Sequence, residues 1–450
     1  MRYQSSKLKR RTGLFILGLL LSARLCADAA VYFVNQSADG AGRRTLRGAV
    51  AAANKNPNTS STIVLTETNY HLVALGYGDM LTVVAHDLTI IGGQGRARDR
   101  DNSSSGNSGS VTVDSSYMTR FFYVLPGAKL TLKNLTLTGG GFYAEKSGAL
   151  KNEGTLILDD CQIVGNNSIL GAGIYNSGNL MMNRVIVANN ICDELSGGEG
   201  GGIYNIGTLT AISCTISNNR SGNGWDGGYS FGTGLIITTV GGVPSAPGGN
   251  AGGGGGVFNG GIMTLNKCFI TGNSTGRGGN AARGNNQGAN GGDAGDGGGI
   301  YNAGDLTIRR CTITDNNCGM GGSGANGGLS FYGNMGYNGG NGGNGGSSGG
   351  IFNAPRAHLK TFNSLVALNE SGAGGGAGPG FIGFPGYVTA GSDGLNGADG
   401  FSADVSGDFI SLGYNLIGEG DNSTGFTNQV NHDIVGTSAA PAAPQLYKAR

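Results

Sequence analysis

The stretch GIYNAGDLTIRRCTITDN (Gly299 to Asn316) is one copy of a unit that recurs along the chain, and this recurrence limits the possible folds more than any other feature. Related copies begin at Ala149, Gly173, Gly202, Gly256 and Gly350, the last with two extra residues, and a weaker copy runs from Gly127 to Gly140. Their shared wording is G-[IV]-[YF]-N-x-G-x-L-T-[IL]-x-x-C-x-I-x-x-N. In five copies the two asparagines lie 14 residues apart: Asn152–Asn166, Asn176–Asn190, Asn205–Asn219, Asn259–Asn273 and Asn302–Asn316. The shortest step between copies is 24 residues, and longer steps gain their extra residues after the second asparagine. A fixed core with insertions at one phase marks a solenoid, in which each unit stacks on its neighbours.

Within a unit the apolar period is two, not 3.6. Leu306 and Ile308 share a face, as do Cys311 and Ile313, while Thr307 and Thr312 take the other. Two or three short strands per unit, separated by bends at Asn, Asp and Gly, predict one coil of a parallel β-helix. Coils would stack about 4.8 Å apart. The leucine-rich repeat resembles CTITDN but needs further leucines on its convex side, where this chain has GGGIYN. The one convincing helix is RTLRGAVAAAN (Arg44 to Asn54), with Thr45 as cap and Leu46, Ala49, Val50 and Ala53 along one face. A helix ahead of the first strands, STIVLTE and DLTIIGG, would cover the open end of the solenoid.

Stacking turns each repeat position into a column. The cysteine column reads Cys161, Val185, Cys214, Cys268, Cys311, Ser364, a small inward residue in every coil. In-register Cβ atoms sit about 4.8 Å apart and point the same way, beyond the usual disulfide range, so free thiols are expected. Cys192 and Cys318 lie outside that column, three coils apart, and are not expected to pair. Zinc is disfavoured, because such ligands would lie in a line and His71, His86, His358 and His432 fall outside the stack. The columns Asn152, Asn176, Asn205, Asn259, Asn302, Asn353 and Asn166, Asn190, Asn219, Asn273, Asn316, Asn369 suit amide-to-amide hydrogen bonds up the stack. The functional alternative for them is a carbohydrate-binding row or glycosylation acceptors.

The 450 residues include 92 glycines, concentrated in the insertions at about 191–200, 220–254, 274–297, 317–348 and 370–400. These segments hold too little apolar surface to pack alone. They read either as flexible filler or as a fringe along one side of the rod that binds something. Residues 1–29 read as a Sec-type export signal. Arg2, Lys7, Lys9, Arg10 and Arg11 precede GLFILGLLLSA (Gly13 to Ala23), a run too short to span a bilayer, and Ala27-Asp28-Ala29 fits a cleavage site. Cys26 raises a lipoprotein alternative, although Arg24 and Leu25 stand where small residues are expected. The chain has 29 Lys and Arg against 28 Asp and Glu; the signal removes six cations and one acid, leaving 23 against 27, or about −4. No basic patch suits nucleic acid.

Cleavage of acidic polysaccharides on a solenoid requires carboxylates or calcium ligands converging on one face, with a base beside them. Asp159 and Asp160 are neighbours, expected on opposite faces of a strand. Asp305 and Asp315 have no acidic counterparts in adjacent coils, and Arg309-Arg310 reads as a solvated face. No catalytic, cofactor-binding or metal-ligating residue is therefore nominated. The one calcium candidate is GSDGLNGADGFSAD (Gly391 to Asp404), through Asp393, Asn396 and Asp399, although its spacing matches neither an EF-hand nor the nonapeptide calcium repeat.

Three stretches resemble secreted bacterial right-handed parallel β-helix proteins of the pectin-lyase-like superfold. RTLRGAVAAAN resembles their N-terminal C-S-L-R-E-A-[IV]-x-A-A-N motif, with Arg44 and Gly48 in place of Cys and Glu. The GGGIYNxGxLTIxxCTIxxN units are similar to theirs. Gly407 to Leu446 resembles the start of a C-terminal region called choice-of-anchor Q, through Asn415-Leu416-Ile417-Gly418 and Asp433-Ile434-Val435-Gly436-Thr437. The resemblance implies a signal peptide (1–29), an N-terminal cap with the first coils (30–110), right-handed repeats with glycine-rich insertions (111–400) and a C-terminal coil with an anchor-like segment (401–450). The last is shorter than the family region. The resemblance is specific for fold and says little about activity; taken with the residues, the leading expectation is an exported, monomeric, non-catalytic protein of a Gram-negative bacterium, structural or adhesive at the cell surface or outside it. The expected partner is an extracellular polysaccharide or surface glycan, with no nucleic acid, no transmembrane helix in the mature chain and no cofactor beyond the calcium candidate. The alternative is a polysaccharide lyase or glycoside hydrolase of the same superfold.

Overall fold

The computed structural model describes residues 29–73, 80–84, 87–93, 110–141, 148–192, 197–228, 245–283, 287–328, 336–381 and 389–442. The expected export signal up to Asp28, with Cys26, and also His86 and the last eight residues, lie outside the described residues.

Each unit folds as three strands: in the copy from Gly299 these are Ile300–Asn302, Asp305–Arg309 and Thr312–Thr314. Equivalent strands of successive units pair in parallel and in register, as Ile300 with Ile351, Leu306 with Leu359 and Ile313 with Val366. The result is three long parallel sheets of 11, 10 and 11 strands wrapped around one core, a parallel β-helix. Ile300, Leu306, Ile308, Cys311 and Ile313 are all buried, and the core runs unbroken from Val34 to Ile417. The stack continues beyond residue 400: Leu416–Ile417 pairs with Leu365–Val366, and Ile434–Val435 pairs with Leu416–Ile417. The resemblance to an anchor region at Asn415 and Asp433 is thus carried by the last two rungs.

Helix α1 (Leu46–Asn54) forms where expected, with the Thr45 hydroxyl accepting the Gly48 amide, and packs against the first strands of two sheets. A Cβ at Gly48 would lie 2.0 Å from the Gly42 carbonyl oxygen, so the glutamate of the resembling motif has no room here.

The bends follow the expected pattern at two corners of the coil but not at the third. After the five-residue strand, Asn134, Asp160, Arg184, Ser213, Lys267 and Arg310 all take φ between 52° and 55°. Left-handed geometry costs an ordinary residue about 1–2 kcal/mol, and here stacked strands on either side hold it. The bend also overturns the expectation that Asp159 and Asp160 face apart. Asp160 turns back, and both carboxylates meet the Arg184 guanidinium at 2.6 Å.

Both asparagine columns are interior. Asn152 Nδ2 donates to Asn176 Oδ1 at 2.6 Å, and the chain continues to Asn302 and Asn353. The second column runs from Asn166 to Asn369 and ends on Asp404 Oδ1 at 2.7 Å. All are buried, which makes them structural rather than a binding row. The cysteine column is likewise buried, its thiols are free, and burial pushes Cys161 up to about 12. The aromatic position of the repeat adds a ladder that the sequence reading did not anticipate. Tyr175, Tyr204, Phe258, Tyr301 and Phe352 stack with centroids 4.8–5.4 Å apart.

Candidate interaction surface

The glycine-rich insertions are not filler: they form a fringe along one side of the rod, and that fringe is ordered. Four segments leave the coil (221–228, 275–282, 318–328, 371–381) and four return (245–253, 287–296, 336–348, 389–402), forming two layers. Neighbours within a layer bond directly, as Gly278 N–H to Met320 O and Gly342 N–H to Leu395 O, at 2.9 and 2.8 Å. The donors recur every third residue: Gly339, Gly342 and Gly345 in one segment reach Ser392, Leu395 and Ala398 in the next. A period of three with no bonds inside the segment is polyproline II geometry. Between layers the segments are antiparallel. One relay crosses all eight of them: Gly397 donates to Gly375, then to Gly343, Gly322, Gly292, Gly279, Gly249 and Trp225, each through a backbone N–H and carbonyl.

At most inner positions the neighbouring segments approach too closely for any residue but glycine. A Cβ at Gly292, Gly322 or Gly343 would lie 1.9 Å from a backbone oxygen of an adjoining segment. The flexible-filler alternative fails because these segments need no apolar core: their backbone groups saturate one another, and close approach favours the absence of side chains.

The remaining position of each triplet faces outward and in most triplets carries a side chain. On the returning layer its amide is accepted by an Asn or Asp of the preceding segment. Asn341 N–H bonds Asn290 Oδ1, Leu395 N–H bonds Asn341 Oδ1, Asn344 N–H bonds Asp293 Oδ1 and Ala398 N–H bonds Asn344 Oδ1, all at 2.7–3.0 Å. The outer face of this layer is therefore a grid of side chains whose inner oxygens are fixed by the backbone.

Both edges of the array are closed. Trp225 lies on Gly249 at one edge, where a Cβ would meet the indole at 2.5 Å. At the other, the outermost segments have no later neighbour. There the amides of Gly374, Ala377 and Gly380 are accepted by Asp399, Asn396 and Asp393, each at 2.8 Å. These are the three residues singled out as a calcium set. They do not converge on a point: spaced three residues apart on an extended helix, successive members sit about 9 Å from one another, each tied to its own amide.

At the root of the array a further column was missed. Two residues after the second asparagine stand Cys192, Ser221, Thr275 and Cys318, and each side chain donates to a carbonyl of the returning segment. The signal was present in the sequence as a run of small hydroxyl or thiol residues at one phase. Cys192 and Cys318 are clips between outgoing and returning chain, and burial pushes the Cys318 thiol up to about 12.

An open groove of about 460 Å³ lies on the outer face of the sheet of five-residue strands, lined by Asp87, Lys129, Lys133, Ile157, Asp159 and Met181. Its acids are neutralised locally: Asp87 pairs with Lys129 at 3.2 Å and Asp159 with Arg184. Asp305, Asp315 and Arg309-Arg310 are exposed and are not part of this lining. No helix among the described residues is long and apolar enough to cross a membrane. Neither a scan against protein-family models nor a search of curated proteins gives a match to this chain, so its placement rests on the parallel β-helix fold and the glycine array.

Proposed function

We propose that the chain is an exported, non-catalytic β-helix protein, related to the secreted bacterial proteins of the pectin-lyase-like superfold, that binds carbohydrate at the cell surface or outside the cell. The observation that carries this reading is the array itself: a rigid, edge-capped flank whose outward side chains are held in fixed orientation by backbone amides. Preorganised polar groups bind without the loss of side-chain freedom that loose loops incur. The N-terminal stretch supports export, and amino-terminal sequencing of the secreted form should begin after Ala29.

The second reading, a polysaccharide lyase or glycoside hydrolase, is favoured by the groove with Lys129, Lys133, Asp87 and Asp159. A glycan-array screen of the purified mature chain, with and without calcium, is the test of the first reading. Incubation with pectate, alginate and glycosaminoglycan, followed by assay for shortened chains, tests the second. Shortened chains would overturn the non-catalytic reading.

A further inference from the structure

We infer that the carbohydrate site is the outer face of the returning layer and that its ligand is a neutral polysaccharide. This inference rests on the carbohydrate-binding reading above and adds to it a surface and a substrate class.

The face is built by Asn250, Asn290, Asn338, Asn341 and Asn344, all exposed, with Asp293 among them. The Oδ1 atom of each accepts a backbone amide of the next segment. That bond fixes the carboxamide and leaves Nδ2, which has no partner among the described residues, as an outward donor pair. The donors repeat about every 9 Å along a segment and again from segment to segment. In the last returning segment the same position holds Ser392, Leu395, Ala398 and Phe401, where no later segment needs an acceptor. Leu395 and Phe401 are 72% and 50% exposed. The face thus joins a grid of oriented donors to an apolar strip, which matches a sugar chain, whose hydroxyl and ring oxygens accept and whose C–H faces are apolar.

Charge selects within that class. The described residues of the returning segments include no Lys or Arg, whereas Asp293, Asp296, Asp393 and Asp399 are present. An acidic polysaccharide would meet only repulsion there, and an uncharged one would bind with little dependence on salt.

The test uses the full mature chain and three neutral probes, cellulose, chitin and mixed-linkage β-glucan, with polygalacturonate as the acidic comparator, at low and high NaCl. The key variant is Asn290→Asp/Asn341→Asp/Asn344→Asp, which keeps every Oδ1 acceptor, removes the outward donors and adds three negative charges; Asp293 already accepts an amide in the same way natively. Retention of the native chain on at least one neutral probe is expected, unchanged by salt, with the triple variant at least tenfold weaker. Leu395→Ala/Phe401→Ala should weaken binding severalfold, and it decides the matter if hydrogen exchange shows that the triple variant has lost the array. Lys129→Ala/Met181→Ala in the groove should bind as the native chain does. Neutral binding that survives both array variants overturns the assignment to this face but leaves the carbohydrate reading standing. Retention on polygalacturonate alone overturns the ligand class, and no retention on any glycan overturns both.

Discussion

The β-helix body and the glycine array share one stacking axis but are stabilised in opposite ways. In the body, backbone pairing runs along the axis, and side chains such as Leu306, Ile308 and Ile313 fill the space between sheets. In the array, backbone bonds run both along the axis and between layers, and the interior is nearly all glycine, with a small side chain at Ala325. Burial of a leucine or isoleucine contributes about 1.5–3 kcal/mol, and the array forgoes that contribution. It relies instead on many bonds that are each worth about 1 kcal/mol and only while the lattice is complete. The body should therefore tolerate change at many places by small steps, and the array should tolerate it at almost none.

The largest test of that contrast uses two adjacent glycines. Gly375→Ala would place a Cβ 2.0 Å from the Gly322 oxygen, whereas at Gly376 nothing lies within 4 Å. The first should cost about 3 kcal/mol or more and raise amide exchange throughout the array, and the second should be neutral or slightly stabilising. Equal effects in a denaturation series would sink the claim that close packing sets these positions. A smaller loss is expected in the body. Asn259→Ala breaks a buried ladder, leaving Asn205 Nδ2 without its 2.7 Å acceptor and Asn302 Oδ1 without its donor. The urea midpoint should report about 1–3 kcal/mol, with exchange in the array edge at 389–402 unchanged.

The smallest effect is on pH dependence. Burial raises the carboxyls of Glu199, Asp296 and Asp404 above their ordinary values. A raised folded-state value means that folding favours the protonated form, so each group weakens stability at neutral pH and ceases to do so as pH falls through that value. Hydrogen bonds lower Glu153, chiefly from Tyr123, and Asp421, chiefly from the Ser438 amide. Their contribution is present above the ordinary carboxylate range and is lost as pH falls through their lowered values. Thermal midpoints should rise slightly from neutrality toward that range and drop below it. A steady fall from pH 7 downward would contradict this.

The body was legible because its information is carried by side chains. A two-residue period, the Asn-to-Asn spacing of 14 and the columns of Cys and Asn all map onto strands and interior ladders. The array was not legible because its determinant is the absence of side chains. GGNGGNGGSSGG reads equally as linker or as lattice until neighbouring segments are in place, and local periodicity holds no sign of the long-range partners. The triplet phase of Asn341 and Asn344 was visible, but its meaning depends on Asn290, Asp293 and Leu395 in other coils. The motif Asp393-x-x-Asn396-x-x-Asp399 suggested a cation because acidic spacing is read more readily than an uncapped row of amides.

Trp225 has a practical consequence. It is the chain's one tryptophan, and it sits on the array rather than in the solenoid core. Its emission will therefore follow the lifting of a ring from Gly249 and remain insensitive to melting of the rungs. Paired with circular dichroism of the strands, this fluorescence distinguishes peeling of the flank from collapse of the whole rod without any added label.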